Sequence, residues 1–306
     1  MSLLKSTYFL FLLMFCLSCD SSDEKKVDQI SNETATNNNL KSEEKKNDHV
    51  SNESKHIENI YFNVPSPMET AIILNKAGAI YDHNLPLSPE IGHKYQTSEE
   101  QAIVLGVYGT DLNYSVVSNE IMETELYLQS INLLGEKLGL DNILNETIKT
   151  RVDNNIHSID SMQVIISQLF WEVESSLKTN GRKDISALVV AGGWIEGLYI
   201  ASQLSIHMVE KDIINTLISE QKYSFESLIP LLESNNLSDQ VNETLVVPIK
   251  ELKIIFDDIK ESINPTPTIS NNDVITLGDN IELIYNQETI DQIRISIAKI
   301  RNDIIQ

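Results

Sequence analysis

One stretch near the end of the chain decides the fold class: Ile290-Asp-Gln-Ile-Arg-Ile-Ser-Ile-Ala-Lys-Ile-Arg-Asn-Asp-Ile304. Its isoleucines recur at 290, 293, 297, 300 and 304, with gaps of 3, 4, 3 and 4. This spacing places them on one face of an α-helix and leaves polar residues on the other face. Because such a helix buries its apolar face against other elements, the stretch predicts one helix of a packed bundle.

The same period recurs further back in the chain. Two more apolar stripes consist of Met162, Ile165, Ile166, Leu169, Val173 and Leu177, and of Ile249, Leu252, Ile255, Phe256, Ile259 and Ile263. Thr97 and Glu100 have the spacing of a capping box, as do Ser66 and Glu69. Further helices are expected at 118–138, 184–206, 209–220 and 224–234, the last kinked or shortened by Pro230. The predicted fold class is therefore all-α, a multi-helix bundle.

Two segments depart from the helical pattern. Residues 79–96 contain prolines and a glycine in a polar context, which predicts an irregular connection. After Pro265 and Pro267, the apolar runs Val274–Leu277 and Ile281–Tyr285 flank a Gly-Asp-Asn turn. This pattern predicts a small β-hairpin or an extended arm near residues 268–285.

The first residues indicate export and lipid anchoring. Lys5 precedes an apolar run over residues 8–17, about half the length that spans a bilayer, which is typical of a signal peptide. Leu17-Ser-Cys19 follows and resembles a lipobox, although Cys16 stands where that pattern places leucine. The resemblance implies cleavage after residues 1–18 and a diacylglyceryl group on Cys19. An ordinary signal peptide is the alternative.

Residues 19–57 are predicted to form a disordered tether behind the lipidated Cys19. They are dominated by Ser, Asn, Glu, Lys and Asp, and bury too little apolar surface to offset the entropy of ordering. The acidic stretch Asp20-Ser-Ser-Asp-Glu24 is similar to the surface-export signal of Bacteroidota lipoproteins. This similarity implies an outer-membrane protein at the cell surface rather than on the periplasmic face. Residues 58–306 are left as the α-helical domain.

Composition excludes several kinds of function. A formal net charge of −22 argues against nucleic acid as a partner, because both would be polyanions. Both cysteines lie in the leader, so the domain has no disulfide, thiol nucleophile or thiolate metal site. Asp82, His83 and His93 lack the spacing of metal ligands, so no metal site and no cofactor are predicted. The sequence also lacks the common hydrolase, metalloprotease and nucleotide-binding motifs, and no catalytic residue is assigned.

Two segments of the chain resemble each other. They are Leu105-Gly-Val-Tyr-Gly-Thr-Asp-Leu-Asn-Tyr114 and Ala191-Gly-Gly-Trp-Ile-Glu-Gly-Leu-Tyr-Ile200, in which Gly106 aligns with Gly192. Glycine within a helix costs about 1 kcal/mol against alanine, and usually allows another helix to approach closely. The first interpretation is therefore a pair of tightly packed central helices. Whether the similarity reflects a duplication is left open.

The second interpretation of these segments is a ligand pocket. Glycines would provide room, aromatic side chains would form walls, and two carboxylates would supply polar anchors. The candidate ligand-binding residues are Tyr108, Asp111, Tyr114, Trp194, Glu196 and Tyr199.

Four segments together resemble a group of Bacteroidota lipoproteins of unknown function. They are Val64-Pro-Ser-Pro-Met-Glu69, Leu105–Leu112, Gly192–Tyr199 and Ile297-Ala-Lys-Ile-Arg-Asn302. The resemblance implies a lipid-anchored, mainly helical domain, and it implies no particular activity.

The leading functional hypothesis is a noncatalytic binding or interaction module of the cell envelope. Its partners would be the membrane, through the lipid anchor, and an unknown small molecule or envelope protein. One alternative is an enzyme with an unfamiliar acidic site at Asp111 and Glu196. Another is a structural subunit of an envelope complex.

Overall fold

The computed structural model of the chain describes residues 71–72, 74–75, 78–208, 211–264 and 280–306. All of them belong to one compact unit, Asp48–Gln306. Several predicted features lie outside the described residues: Cys19 and its leader, the tether, the capping box of Ser66 and Glu69, and the run Val274–Leu277.

The described residues form an all-α multi-helix bundle with one small hairpin, which confirms the predicted fold class. The helices are α1 Ser98–Val117, α2 Ile121–Lys137, α3 Glu146–Asn155, α4 Ile159–Thr179, α5 Lys183–Leu204, α6 Lys211–Glu220, α7 Phe225–Glu233, α8 Val247–Phe256 and α9 Gln287–Ile305. Shorter helical segments are the 3₁₀ helix Pro89–Lys94, the 3₁₀ turn Gln221–Ser224, the turn Asp239–Val241 and the π-helical Asn242–Val246.

Helix ends and stripes agree with the sequence patterns in most places. The capping box before α1 is present: Thr97 Oγ1 accepts from the Glu100 amide, and the Glu100 carboxylate accepts from the Thr97 amide. The apolar stripes of α4 and α9 are buried. The chain passes helically through Pro230, within a helix α7 of nine residues.

The third apolar stripe ends earlier than its spacing predicts. Helix α8 stops at Phe256, while Ile259 lies beyond it and is still buried. Spacing cannot locate such an end, because a side chain just past a helix can face the same core. The acidic pair Asp257-Asp258 marks the end of the helix in the sequence, because negative charge in the last turn of a helix is unfavourable and does not favour its continuation.

The predicted hairpin has a different first strand from the expected one. Strand β1, Lys260–Asn264, pairs in antiparallel register with β2, Asn280–Ile284. The second strand thus falls within the predicted range, and its partner comes from the end of the third apolar stripe. Helix α3 was not predicted: Asn145 caps it, but only Ile148 and Val152 of this helix are buried, so its apolar pattern is weak.

Helices α1 and α5 form the centre of the bundle. Every residue of α1 from Gln101 to Val117 is buried, so this helix has no polar face. Helix α5 is the one helix among those described that is long and apolar enough to cross a membrane, yet 83% of that apolar window is buried inside the bundle. Such all-round apolarity is typical of a core helix.

Candidate functional site

The two similar segments form the contact between α1 and α5. A methyl group added at Gly106 would overlap the carbonyl oxygen of Val189, and one added at Gly192 would overlap the carbonyl oxygen of Ile103. Each glycine therefore lies against the carbonyl three residues before the other glycine. This reciprocal contact confirms close helix packing at the aligned glycines and leaves no room for a ligand between them.

A charged pair is enclosed beside this contact. The guanidinium of Arg301 on α9 donates from Nε to Glu196 Oε2 at 3.0 Å and from Nη2 to Glu196 Oε1 at 3.1 Å. Glu196 is completely buried and Arg301 is nearly so. A bidentate pair with this geometry compensates a charge that would otherwise be too costly to bury.

Asp111 completes the cluster from α1. It is completely buried, and its Oδ2 accepts from the Leu87 amide at 3.1 Å. Its Oδ1 accepts from no N–H or O–H group of the described residues, yet its side chain lies in hydrogen-bonding contact with Glu196. Two carboxylates are both acceptors, so they form a hydrogen bond only when one of them carries a proton.

We assign this proton to Asp111, because Glu196 already forms the bidentate pair with Arg301. Burial raises the pKa of the Asp111 carboxyl well above its ordinary value, and the charge of Glu196 raises it further against the opposing effect of Arg301. Burial also raises the pKa of Glu196, but the charge and hydrogen bonds of Arg301 oppose this increase. With Asp111 neutral, Glu196 anionic and Arg301 cationic, the cluster has no net charge.

Arg301 was not singled out from the sequence. Besides Glu196 it contacts the Leu85 carbonyl at 3.2 Å and lies over the ring of Tyr199, 4.6 Å from its centre. The sequence does contain one indication of its role. Arg301 lies four residues after Ile297 and three before Ile304, and this spacing places its charge on the buried face of the helix.

Residues 80–89, here called the strap, cross this part of the bundle. They have no regular helix or strand up to Pro89, where the 3₁₀ helix begins. Their backbone is bound by side chains of the helices beneath. Tyr114 Oη donates to the Ile80 carbonyl at 3.2 Å and accepts from the Asp82 amide at 3.0 Å. These bonds fasten the first part of the strap to α1.

The second part of the strap is held in the same way. Tyr108 Oη donates to the Ser88 carbonyl at 2.8 Å, and Tyr127 Oη of α2 donates to the Leu87 carbonyl at 3.0 Å. Burial raises the pKa of both phenols, so they remain protonated donors at neutral pH. Side chains from three helices thus bind the backbone of this one segment.

The structure brings five of the six predicted site residues to this region. Asp111 and Glu196 form the cluster, Tyr199 joins it through Arg301, and Tyr108 and Tyr114 bind the strap. Trp194 has other partners: its Nε1 donates to Gln221 Oε1 at 3.0 Å, and its ring meets Phe225 edge to face. The contacts found for these residues are with the chain itself.

The histidines of the strap region have separate contacts. His83 Nδ1 lies 3.6 Å from Glu123 Oε1, while His93 Nδ1 bonds the Glu90 carbonyl at 2.8 Å. Within the described ranges, no three His, Cys, Asp or Glu side chains come together as metal ligands.

The outward face of α4 carries exposed apolar side chains. Val164 is 64% exposed and Trp171 is 67% exposed. They are seven residues apart, which is two helical turns, so both point away from the buried stripe of the same helix. Between them, Gln168 accepts from Arg151 and donates to Glu172.

The chain was compared with protein-family models, with curated proteins and with solved structures, and none of them matches it.

Proposed function

We propose that the chain is a noncatalytic interaction module of the cell envelope, held to the outer membrane by a lipid on Cys19, and that its partner is an envelope protein. The observation that carries the proposal is the outward face of α4. Trp171 projects into solvent from a well-formed helix whose other face is buried.

An exposed tryptophan on a rigid helix favours protein contact. Tryptophan is usually largely buried, and it is enriched among the residues that contribute most of the energy of protein interfaces. Val164 extends the apolar surface along the same face, and Arg151, Gln168 and Glu172 supply polar groups beside it. An apolar centre with polar groups at its edge is the usual composition of such an interface.

The leader and tether support the location part of the proposal. A lipid on Cys19 would fix the chain at the membrane, and residues 20–57 as a flexible coil would span roughly 30–40 Å. The acidic residues after Cys19 favour the cell surface. Membership in the Bacteroidota lipoprotein group is part of the same proposal.

The buried cluster favours binding over catalysis. Asp111 and Glu196, the acids of the alternative enzyme hypothesis, are completely buried, and Arg301 already compensates the charge of Glu196. A substrate would reach them only after the strap had moved. We therefore assign these acids to the interior of the domain rather than to an acid–base pair.

The first prediction concerns Trp171. The full, lipidated chain isolated from its own host in mild detergent should carry a specific envelope protein, identified by mass spectrometry. With both proteins purified, Trp171→Ala should weaken their binding about thirtyfold or more, since a tryptophan at the centre of an interface contributes about 2 kcal/mol or more. Isothermal calorimetry measures the change.

Ile254→Ala is the matched control, because Ile254 is also about two-thirds exposed but lies on α8. This variant should bind as the wild type does. If the wild type, Trp171→Ala and Ile254→Ala bound the partner with equal affinity, the assignment of the α4 face as the interface would be contradicted. Turnover of an envelope substrate by the purified chain, abolished by Asp111→Asn or Glu196→Gln, would contradict the noncatalytic proposal. A complex that never dissociates would instead favour a structural subunit.

A further inference from the structure

The strap lies between the buried cluster and solvent. Its backbone contacts the cluster directly, since the Leu85 carbonyl accepts from Arg301 and the Leu87 amide donates to Asp111. On its other side His83 and Asn84 are exposed. Water that reaches the two acids from this side must displace the strap.

The cluster is neutral only while it holds one proton. If Asp111 ionises, two carboxylates face a single guanidinium in a space without solvent. A charge that loses its compensation in a dry interior draws in water or moves toward it. Helices α1 and α5 are packed through their backbones and cannot separate easily. The strap is an irregular surface segment, which is the kind of element that opens at least cost.

We propose that the strap is a cover controlled by the single proton that Asp111 shares with Glu196: it is closed while the proton is bound and opens when the proton is lost. Opening exposes the strap-binding hydroxyls of Tyr108, Tyr114 and Tyr127 to solvent. The device does not depend on the α4 interface, which lies on another helix.

The groups that face Asp111 determine when the proton leaves. Arg301 from α9 is the cation among them, and Glu196 from α5 is the anion. The remaining titratable neighbours are tyrosines that stay neutral because burial raises the pKa of each: Tyr81 of the strap, Tyr108 of α1, Tyr127 of α2 and Tyr199 of α5. The proton that controls the strap is therefore the one on the Asp111 carboxyl.

Hydrogen–deuterium exchange of the full chain between pH 6 and pH 10 tests this proposal. After correction for the intrinsic exchange rate, peptides that cover residues 80–89 should lose protection. Their opening constant should rise by about tenfold per pH unit below the raised pKa that Asp111 has in the closed domain, because one proton is released on opening, and should level off above that pKa. Peptides from the interior of α1 should remain protected over the same range.

Asp111→Asn removes the titrating proton and keeps the hydrogen bonds, because the asparagine amide donates to Glu196 and its oxygen accepts from the Leu87 amide. Its strap should stay closed up to pH 10. Asp257→Asn, at an exposed carboxylate, is the control and should open as the wild type does.

Glu196→Gln is a second, independent variant. It leaves Asp111 to ionise beside Arg301 without a second anion, so its strap should also stay closed. The proposal is overturned if the wild-type strap exchanges at one corrected rate across the range, or if both variants that alter the cluster open as the wild type does.

Discussion

Arg301→Met should destabilise the domain by about 3–5 kcal/mol at neutral pH, the usual cost of removing one partner from a buried ion pair. Methionine fills similar space but leaves Glu196 enclosed without its cation. It also leaves the Leu85 carbonyl without its guanidinium donor. Urea unfolding followed by circular dichroism gives the free energy directly.

The pH dependence of Arg301→Met adds a second signature. Without the guanidinium, the pKa of Glu196 rises further, because only the contact with Asp111 then opposes the effect of burial. Folding must take up a proton at that site, so the variant should recover stability as the pH falls. Arg294→Met on the same helix is the control: its partner Asp291 is half exposed, and the loss should stay below about 1 kcal/mol. Equal losses in the two variants would mean that the buried pair contributes no more than a surface pair.

Gly192→Ala should cost about 3 kcal/mol or more, at the upper end of the range for overpacking a core. The added methyl group would overlap the Ile103 carbonyl, which belongs to a helix backbone and cannot rotate away. Gly106→Ala should behave alike, because it meets Val189 in the reciprocal position. The midpoint and slope of urea unfolding measure both effects.

Gly135→Ala is the matched control for the two helix-contact glycines. It is also helical and buried, but a methyl group there meets the side chain of Leu144, which can change rotamer. Better helix propensity, worth about 1 kcal/mol, should offset much of the remaining cost. If Gly192→Ala, Gly106→Ala and Gly135→Ala lost the same free energy of unfolding, the backbone contact between α1 and α5 would be no more closely packed than the surroundings of Gly135.

Periodicity was sufficient to predict most of the fold. The stripes of α4 and α9 are local patterns of 3 and 4 residues, and one buried face explains each. Helix α3 was not predicted because its two buried residues are too few to form a periodic apolar pattern. Strand β1 was hidden because Ile259 continues the spacing of α8 past its end.

Only part of the candidate site could be predicted from the sequence, for a different reason. The polar anchors Asp111 and Glu196 stood out because acids rarely occur in such apolar helices. Their counter-charge, Arg301, lies 105 residues from Glu196, and no local pattern links the two. The strap is held through backbone carbonyls and amides, which every residue possesses, so its sequence carries no sign of the contact.

We infer that Asp111 is neutral in the folded domain, and the stability of the wild type relative to Asp111→Asn between pH 4 and pH 9 tests this most directly. The folded pKa of Asp111 lies above its unfolded value, so the unfolded state binds fewer protons and wild-type stability falls as the pH rises between the two values. Relative to Asp111→Asn, the wild type should lose about 1.4 kcal/mol per pH unit, starting near pH 4 and ending at the folded pKa. A difference that stays constant from pH 4 to pH 9 would show that Asp111 is ionised in the fold and would contradict the claim.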